Sequence, residues 1–349
     1  PDAGAPGGTF TINGNLTLAS GSQMDYSFGA PGTSGAAGAG HSVQVNGDLT
    51  LNGAQLNAND AGGFGVGVYR LFDYAGALTI ANNGITGLPA GQTVQYLGSA
   101  KQVNLINSGN LMLNIWNADR QATPSQFGGG SGTWSRTSAN WTDATAALTS
   151  AFSPSNGFAI FGGAPGTVTV DAAQGDVDAS GAQFIADGYR LNGDALNLLA
   201  PSAGALSEVR VGDGSAPSAG WTTTLDNTIA GNGLNKTGAG TLVLNGANSY
   251  AQTRLSAGTL SVSSDANLGT ALGGLDFQGG TLRVTGTAFQ NTARAISLGT
   301  AGGGLDIADV ANTFTVSQSL SGNGGLTKLG AGTLVLTGAN TYLGSTTVA

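Results

Sequence analysis

The residues of this sequence that are best suited to acid–base chemistry are aspartates concentrated between residues 171 and 194. Two carboxylates that meet on one face beside a basic side chain can cleave a glycosidic bond. The alternative is that these aspartates lie in turns, because an Asp side chain bonds backbone groups two residues further on. We expect turns and keep a polysaccharide-degrading enzyme as the alternative. The stretch contains Asp171, Asp176, Asp178, Asp187 and Asp194, together with Arg190.

The segment Asp176–Asp187 also matches the first half of a calcium-binding loop, with Asp, Asp and Ser at positions 1, 3 and 5 and Gly at position 6. Position 12 is Asp187, whereas such loops use a bidentate Glu there. Neither flank has a helical pattern. The sequence therefore predicts a strand, a turn and a second strand here, with no bound metal.

His41 is the only His of the chain, and there is no Cys. A Ser-His-Asp triad would have to use His41, but the sequence has no nucleophile signature such as G-x-S-x-G. A zinc site needs several His or Cys ligands. We therefore predict no catalytic residue, no metal site and no cofactor, and we place His41 in a turn or at the exposed end of a strand.

The richest aromatic cluster consists of Trp134 and Trp141, with Arg136 between them and Trp116 upstream. Exposed Trp and Arg side chains anchor many binding sites and stack on sugar rings. Trp134, Arg136 and Trp141 are therefore candidates for ligand binding. The alternative, which we favour, is that the indole rings fill the core where the strand pattern becomes irregular.

Composition limits the partners that these residues could serve. The 349 residues include 61 Gly, and 11 Lys and Arg stand against 19 Asp and Glu, for a net charge of −8. A chain this acidic has no basic surface for a nucleic acid. No run of about 18 apolar residues is present, so we predict no membrane-spanning segment. The chain opens without the features of a signal peptide and stops within a repeat, so we expect a fragment of a longer protein.

Short strands are the elements that must position these side chains. Runs of alternating apolar and polar residues end at Gly or Asn, as in Thr9–Ile12, Thr167–Val170 and Leu282–Val284. Alternation directs one face of a strand inward and the other outward. Gly and Asn supply the backbone angles of tight turns. No convincing amphipathic helix is present, and the sequence predicts an all-β protein.

One segment of the chain occurs twice. Residues 233–250 have the sequence GLNKTGAGTLVLNGANSY, and residues 325–342 have GLTKLGAGTLVLTGANTY. Weaker copies of the central G-x-L element lie between them and contribute Leu260, Leu282 and Leu305. Among the residues that the two strong copies share, the repeat motif consists of Lys236, Gly238, Gly240, Thr241, Leu242, Asn248 and Tyr250 in the first, and Lys328, Gly330, Gly332, Thr333, Leu334, Asn340 and Tyr342 in the second.

Strand-bearing repeats of 20–25 residues are typical of a parallel β-solenoid, in which each coil buries its inward side chains against the coils above and below. The spacing predicts one continuous solenoid of about 15 coils of about 23 residues each. A β-sandwich is the alternative, but it would show hairpin turns every 8–12 residues and no long-range repeat.

The repeated element at Lys236–Tyr250 and Lys328–Tyr342 resembles the passenger-associated transport repeat of Gram-negative autotransporters, which use type V secretion. The stretches at 131–144 and 158–198 are similar to the same family. The resemblance implies a right-handed parallel β-helix exported to the cell surface. It also implies that the full-length chain continues into a C-terminal outer-membrane β-barrel, while this part does not itself span a membrane. In the family the repeat aids secretion and folding, so it indicates a fold and a route rather than an activity.

Rhythm and composition divide the predicted solenoid into three parts. Residues 1–120 would form N-terminal coils with long Gly/Ala loops at 30–40 and 61–67. Such loops on a rigid scaffold could carry binding elements. Residues 121–200 would form an irregular segment that contains the Trp cluster, and residues 201–349 the most regular repeat.

The sequence therefore predicts a non-enzymatic adhesin or stalk that contributes to virulence, at the Gram-negative cell surface or secreted after cleavage. Its partner would be a host-surface glycan or protein, bound through many weak contacts along a polar ridge. Two alternatives stay open. One is a β-helical enzyme that degrades polysaccharides, and the other is a passenger that self-associates in cell aggregation or biofilm.

Overall fold

The computed structural model of the chain describes residues 9–28, 42–60, 64–109, 111–120, 127–143 and 149–349. The expectations for His41 and for the loop at 30–40 lie outside these residues, as do residues 61–63 of the second Gly/Ala loop. Within the described residues the regular elements are strands and two short 3₁₀ helices, Ala216–Gly220 and Asp265–Leu268. The all-β prediction is confirmed.

The N-terminal part consists of long coils whose strands pair in parallel, followed by strands that pair in antiparallel fashion. Its strands are β1 (Thr9–Ile12), β2 (Leu16–Leu18), β3 (Gln23–Phe28), β4 (Ser42–Val45), β5 (Leu49–Asp60), β6 (Gly67–Tyr74), β7 (Leu78–Thr86), β8 (Gln92–Leu97) and β9 (Gln102–Asn107). Thr9 of β1 lies opposite Ser42 of β4, 33 residues further on. The pairs β6–β9 and β8–β9 are antiparallel. Strands β6 and β7 still pair in parallel with β4 and β5, so the antiparallel pairing begins with β8 and β9.

From residue 113 onward the chain coils into a parallel β-helix. Its first strands are β10 (Leu113–Trp116), β11 (Gly132–Trp134), β12 (Trp141–Thr142), β13 (Thr149–Ser150), β14 (Phe158–Phe161), β15 (Thr167–Val170), β16 (Val177–Ala179), β17 (Gly181–Phe184), β18 (Arg190–Gly193), β19 (Leu196–Leu198), β20 (Ser207–Val211), β21 (Thr222–Leu225) and β22 (Ile229–Gly231). The remaining strands are β23 (Leu234–Thr237), β24 (Thr241–Leu244), β25 (Thr253–Leu255), β26 (Thr259–Val262), β27 (Leu275–Phe277), β28 (Thr281–Val284), β29 (Asn291–Thr292), β30 (Ile296–Leu298), β31 (Gly303–Ile307), β32 (Thr313–Val316), β33 (Leu320–Gly322), β34 (Leu326–Leu329), β35 (Thr333–Leu336) and β36 (Thr346–Val348).

These strands form three faces. The first face is an eleven-stranded sheet that runs through β14, β17, β20, β23, β25, β27, β30 and β33, with β10, β12 and β13 at its edge. The second face is a ten-stranded sheet through β11, β15, β18, β21, β24, β26, β28, β31, β34 and β36. Two three-stranded sheets, β16–β19–β22 and β29–β32–β35, form the third face. The predicted parallel β-helix is confirmed, while its right-handed sense, its total of about 15 coils and the domain limits at 120 and 200 stay predictions.

The length of a coil varies along the β-helix. Thr167 lies opposite Arg190 and Gly303 opposite Leu326, each 23 residues further on, as the sequence predicts. Thr241 lies opposite Thr259, only 18 residues further on. Since the strands keep similar lengths, the turns absorb the difference.

Apolar side chains form continuous columns inside the β-helix. On the second face, Leu242, Leu260, Leu282 and Leu305 lie opposite one another in consecutive coils, and each is at most 1% exposed. Each buried methylene contributes about 0.8 kcal/mol. Identical side chains in register pack without gaps, which explains why the sequence repeats Leu at this position.

Candidate functional site

The outward side of the second face carries a single file of threonines. We call these six residues the threonine column: Thr222, Thr241, Thr259, Thr281, Thr327 and Thr347. Gly304 fills the step between Thr281 and Thr327. Neighbouring strands lie about 4.8 Å apart, so hydroxyl groups recur at that interval. No hydrogen bond within the described part of the chain engages these hydroxyls.

Charged side chains flank this column and pair along the stack. Arg283 lies 3.6 Å from Asp306 on the second face. On the first face Arg254 donates to Asp276 at 2.7 Å, and Ser297 donates to the same carboxylate at 3.1 Å. Exposed pairs of this kind add at most about 1 kcal/mol to stability. Their consequence is a surface on which the charges of adjacent coils compensate one another.

The Trp cluster lies in the core. Trp134 is 1% exposed and Trp141 is fully buried, and their ring centres are 4.8 Å apart. Trp116, Phe152 and Phe161 complete the cluster, at the level where β12 pairs with β10 in antiparallel fashion. The two candidate indole rings therefore have no surface to offer a ligand. Arg136 alone among the three candidates is exposed.

Four of the aspartates between residues 171 and 194 are engaged in turns or in bonds between coils. Asp171 accepts from the amide of Ala173, two residues on, at 2.9 Å. Asp194 accepts from Ala172 at 2.8 Å, and Asp187 from Thr222 at 2.7 Å. Asp178 accepts from Asn197, and Arg190 pairs with Asp226.

Asp176 and Asp178 do share one small cavity with Arg136. It has a volume of about 220 Å³ and lies beside the edges of Trp134 and Phe152. Asp187, Asp194 and Arg190 do not line it. The structure therefore does not bring the carboxylates and Arg190 together in one groove.

The lysines of the two repeat copies point inward and bind the turn that follows them. Lys236 is fully buried and donates to the carbonyls of Thr237 and Gly238 at 2.8 Å and of Ala257 at 3.1 Å. Lys328 donates to Leu329 and Gly330 at 2.7 Å. Burial lowers the pKa of Lys236 to about 7, and Glu208 acts in the opposite direction.

The asparagines of the repeat bind the preceding coil. Asn248 accepts from the amide of Ile229 at 2.7 Å, and Asn340 accepts from the amide of Leu320 at 2.9 Å. Asn248 also donates to the carbonyl of Asn267 at 2.6 Å. The spacing that the two copies share thus places a Lys at a turn within one coil and an Asn that bonds to a neighbouring coil.

The two repeat copies lie on different faces. Lys236 belongs to β23 on the first face, whereas Lys328 belongs to β34 on the second. Lys328 lies opposite Leu305 in the leucine column, and Leu334 lies opposite Phe314 on the third face. The leucine series of the sequence therefore does not continue to Leu334 as one column. The repeat is a local unit of turn and strand that begins on the first face in one copy and on the second face in the other.

A buried polar network joins the N-terminal part to the β-helix. Gln183 of β17 accepts from the amide of Val68 at 2.9 Å and donates to the carbonyl of the same residue at 3.0 Å. Arg70 of β6 pairs with Asp213 at 2.7 Å and with Asp73 at 2.5 Å. Burial raises the pKa of Asp73, although the Arg70 guanidinium opposes this shift.

The threonine column and this junction were both missed by the sequence reasoning. The spacing of the threonines is irregular along the chain, because coil lengths vary, so no fixed period reveals the column. Arg70 and Asp213 are 143 residues apart in the sequence. The Thr at the middle of the G-T-L elements is a signal for Thr241, Thr259 and Thr281 only.

The described part of the chain contains neither a metal-binding cluster nor a membrane-spanning helix. No group of three or more His, Cys, Asp or Glu side chains there could hold a metal ion. None of the described helices is long and apolar enough to cross a membrane.

Comparison with known proteins finds relatives of the repeat and of the whole chain. The family model of the passenger-associated transport repeat matches residues 234–262 and 326–349. The chain is 42% identical over 327 residues to the protein named Adhesin BmaC autotransporter from Brucella suis biovar 1 (strain 1330). That match covers 91% of this chain but only 9% of the relative. No solved structure matches the chain.

Both findings agree with the architecture. The matched repeat segments contain strands β23–β26 and β34–β36, which include Lys236 and Lys328, and the identity extends over the irregular N-terminal part as well. This chain is therefore a segment of an autotransporter passenger that carries passenger-associated transport repeats.

Proposed function

We propose that this segment is a non-enzymatic adhesive part of a passenger displayed at the Gram-negative cell surface, where it contributes to virulence by attachment. The observation that carries the proposal is the threonine column, six half-exposed or exposed hydroxyl-bearing side chains in register on one face. Single hydrogen bonds to such groups are weak, but contacts repeated along a rigid array add up through avidity. The partner is a glycan or protein of a host-cell surface.

The name of the Brucella relative supports this proposal, since that protein is called an adhesin. The engagement of the aspartates also supports it. Asp171, Asp187 and Asp194 accept hydrogen bonds from backbone amides, which makes them parts of the scaffold rather than an acid–base pair.

Attachment of beads coated with the purified chain to cultured epithelial cells tests the proposal. Replacing Thr241, Thr259 and Thr281 together by Val removes three hydroxyls and keeps the shape of each side chain. We expect bead attachment to fall about tenfold, because the weak contacts act multiplicatively.

The matched control replaces Thr313, Thr315 and Thr333 of the third face by Val. Attachment equal to that of the unaltered chain is expected for the control. Equal attachment by both variants would refute the role of the threonine column. Sedimentation of the unaltered chain at increasing concentration tests the alternative of self-association, which predicts dimers that the first variant weakens.

A further inference from the structure

A large groove lies at the junction of the N-terminal part and the β-helix. This groove has a volume of about 970 Å³, which is at the upper end of the range of ligand sites. Tyr74 and Lys101 line it from the N-terminal part. Phe127, Ile185 and Trp221 line it from the β-helix.

The floor of the groove is a rigid network in which the cation is already neutralised. Arg70 binds Asp73 at 2.5 Å, Asp213 at 2.7 Å and the amide oxygen of Asn104 at 2.8 Å. Asp213 in addition accepts from the hydroxyl of Ser215 at 2.6 Å. Since Arg70 faces two carboxylates, the floor offers no free positive charge to an anionic ligand.

One buried polar group in the groove lacks a partner. Tyr74 is 3% exposed, and its hydroxyl makes no hydrogen bond within the described part of the chain. Lys101 lies over the same ring, with its ammonium 5.5 Å from the ring centre, and donates to the carbonyl of Gly76 at 2.7 Å. A buried hydroxyl without a partner costs about 1–3 kcal/mol. A ligand toward which the Tyr74 side chain turns, so that its hydroxyl reaches the groove, would supply the missing bond and regain this energy.

The charges of the residues that line the groove determine which class of ligand it can bind. Four carboxylates, those of Asp73, Asp119, Asp187 and Asp213, face two cations, Arg70 and Lys101. Excess carboxylate repels anionic sugars and peptides, whereas it accepts hydrogen bonds from neutral hydroxyl groups. The half-buried indole of Trp221 adds an apolar ring on which a sugar can stack.

We propose that this groove binds an uncharged oligosaccharide, with Tyr74 and Asp187 bonding its hydroxyls and Trp221 packing against a sugar ring. The inference rests on the proposed adhesive function and assigns it a second, more selective site. The threonine column would then supply many weak contacts, and the groove one specific contact.

A printed glycan array with neutral and anionic oligosaccharides, probed with the purified chain, tests this inference. We expect binding to neutral oligosaccharides. Tyr74→Phe removes only the hydroxyl and should weaken binding about fivefold, and Asp187→Asn should weaken it about tenfold. Tyr74→Phe should not lower the melting temperature, because the lost hydroxyl has no partner in the free protein.

The controls are Tyr96→Phe and Asp176→Asn, which remove a tyrosine hydroxyl and an aspartate carboxylate at positions that do not line the groove. Both variants should bind oligosaccharides like the unaltered chain. Absence of binding to every neutral oligosaccharide would overturn the inference, as would binding to anionic glycans alone or binding that Tyr74→Phe and Asp187→Asn leave unchanged. The proposed adhesive function is judged separately by bead attachment. Glycan binding without attachment would support the groove and refute the adhesive function.

Discussion

At the scale of single residues, Lys236 is the most unusual member of the core. It lies in the inward column of the first face, opposite Val209 in one coil and Leu255 in the next. Burial of an ammonium in such surroundings is unfavourable unless its protons are hydrogen-bonded. Three backbone carbonyls meet that need, so the lysine serves the turn rather than a ligand.

The stability of the chain should therefore depend on pH through Lys236. Its pKa is about 7 in the folded chain and 10.5 in the unfolded one. Between these values the unfolded chain binds more protons, so stability rises with pH. We expect the free energy of unfolding, measured by urea denaturation, to increase from pH 7 to pH 9 by roughly 1 kcal/mol per pH unit. Above pH 10 the buried tyrosines, whose pKa values are raised, would reverse the trend.

Lys236→Met is the variant that isolates this effect. It keeps an apolar side chain in the column and should abolish the rise between pH 7 and pH 9. At pH 9 it should be less stable than the unaltered chain by about 1–3 kcal/mol, because the turn carbonyls lose the two N–H donors of the neutral amine. A flat urea midpoint for the unaltered chain over the same range would contradict the assignment.

At the scale of elements, the turns between strands hold the faces of the β-helix at fixed angles. Gly238 follows the Lys236 strand with φ +77°, and a Cβ there would lie 2.3 Å from the carbonyl oxygen of Val211. Gly286 has φ +68°, but a Cβ there would meet nothing within 4 Å. Both positions favour Gly by conformation, and only the first also requires it for space.

This pair of glycines separates the two requirements. We expect Gly286→Ala to cost about 1 kcal/mol, the strain of a left-handed residue with a side chain. Gly238→Ala should cost at least about 3 kcal/mol, because the backbone of the neighbouring coil must move as well. Urea denaturation of the two variants measures the difference, and equal midpoints would disprove the packing argument.

At the scale of the whole molecule, the junction decides whether the N-terminal part and the β-helix act as one body. Gln183 bonds both backbone groups of Val68 and also donates to the carbonyl of Gly212 at 2.9 Å. It thus makes the bonds that a neighbouring strand would make, between two parts that no sheet of the described residues connects. The proposed groove depends on the same junction.

Gln183→Leu should loosen this junction selectively. The substitution keeps the volume and leaves the amide and carbonyl of Val68 without partners. We expect hydrogen exchange of residues 67–74 to accelerate about tenfold, while exchange of residues 253–284 stays unchanged. Gln278→Leu, at an exposed side chain, is the control and should alter neither region. Uniform acceleration along the chain would instead indicate global destabilisation.

The sequence by itself determined the local structure of this protein. Alternation in runs such as Thr167–Val170 specified strands, and the glycines and asparagines between runs specified turns. The repeat with Lys236 and Lys328 specified a parallel solenoid. These features depend on contacts within a turn or between adjacent coils, which is why a linear pattern records them.

Only the tertiary structure decided what lies on which face and what meets across the chain. Leu234 and Leu320 lie in the same column of the first face, four coils apart. Leu326 follows only six residues later but lies on the second face, so the two repeats are not aligned. The tertiary structure likewise decided that Trp134 and Trp141 are buried, that the aspartates are dispersed and that Arg70 meets Asp213. The position of a residue in a solenoid sums the lengths of all preceding turns, and no local pattern contains that sum.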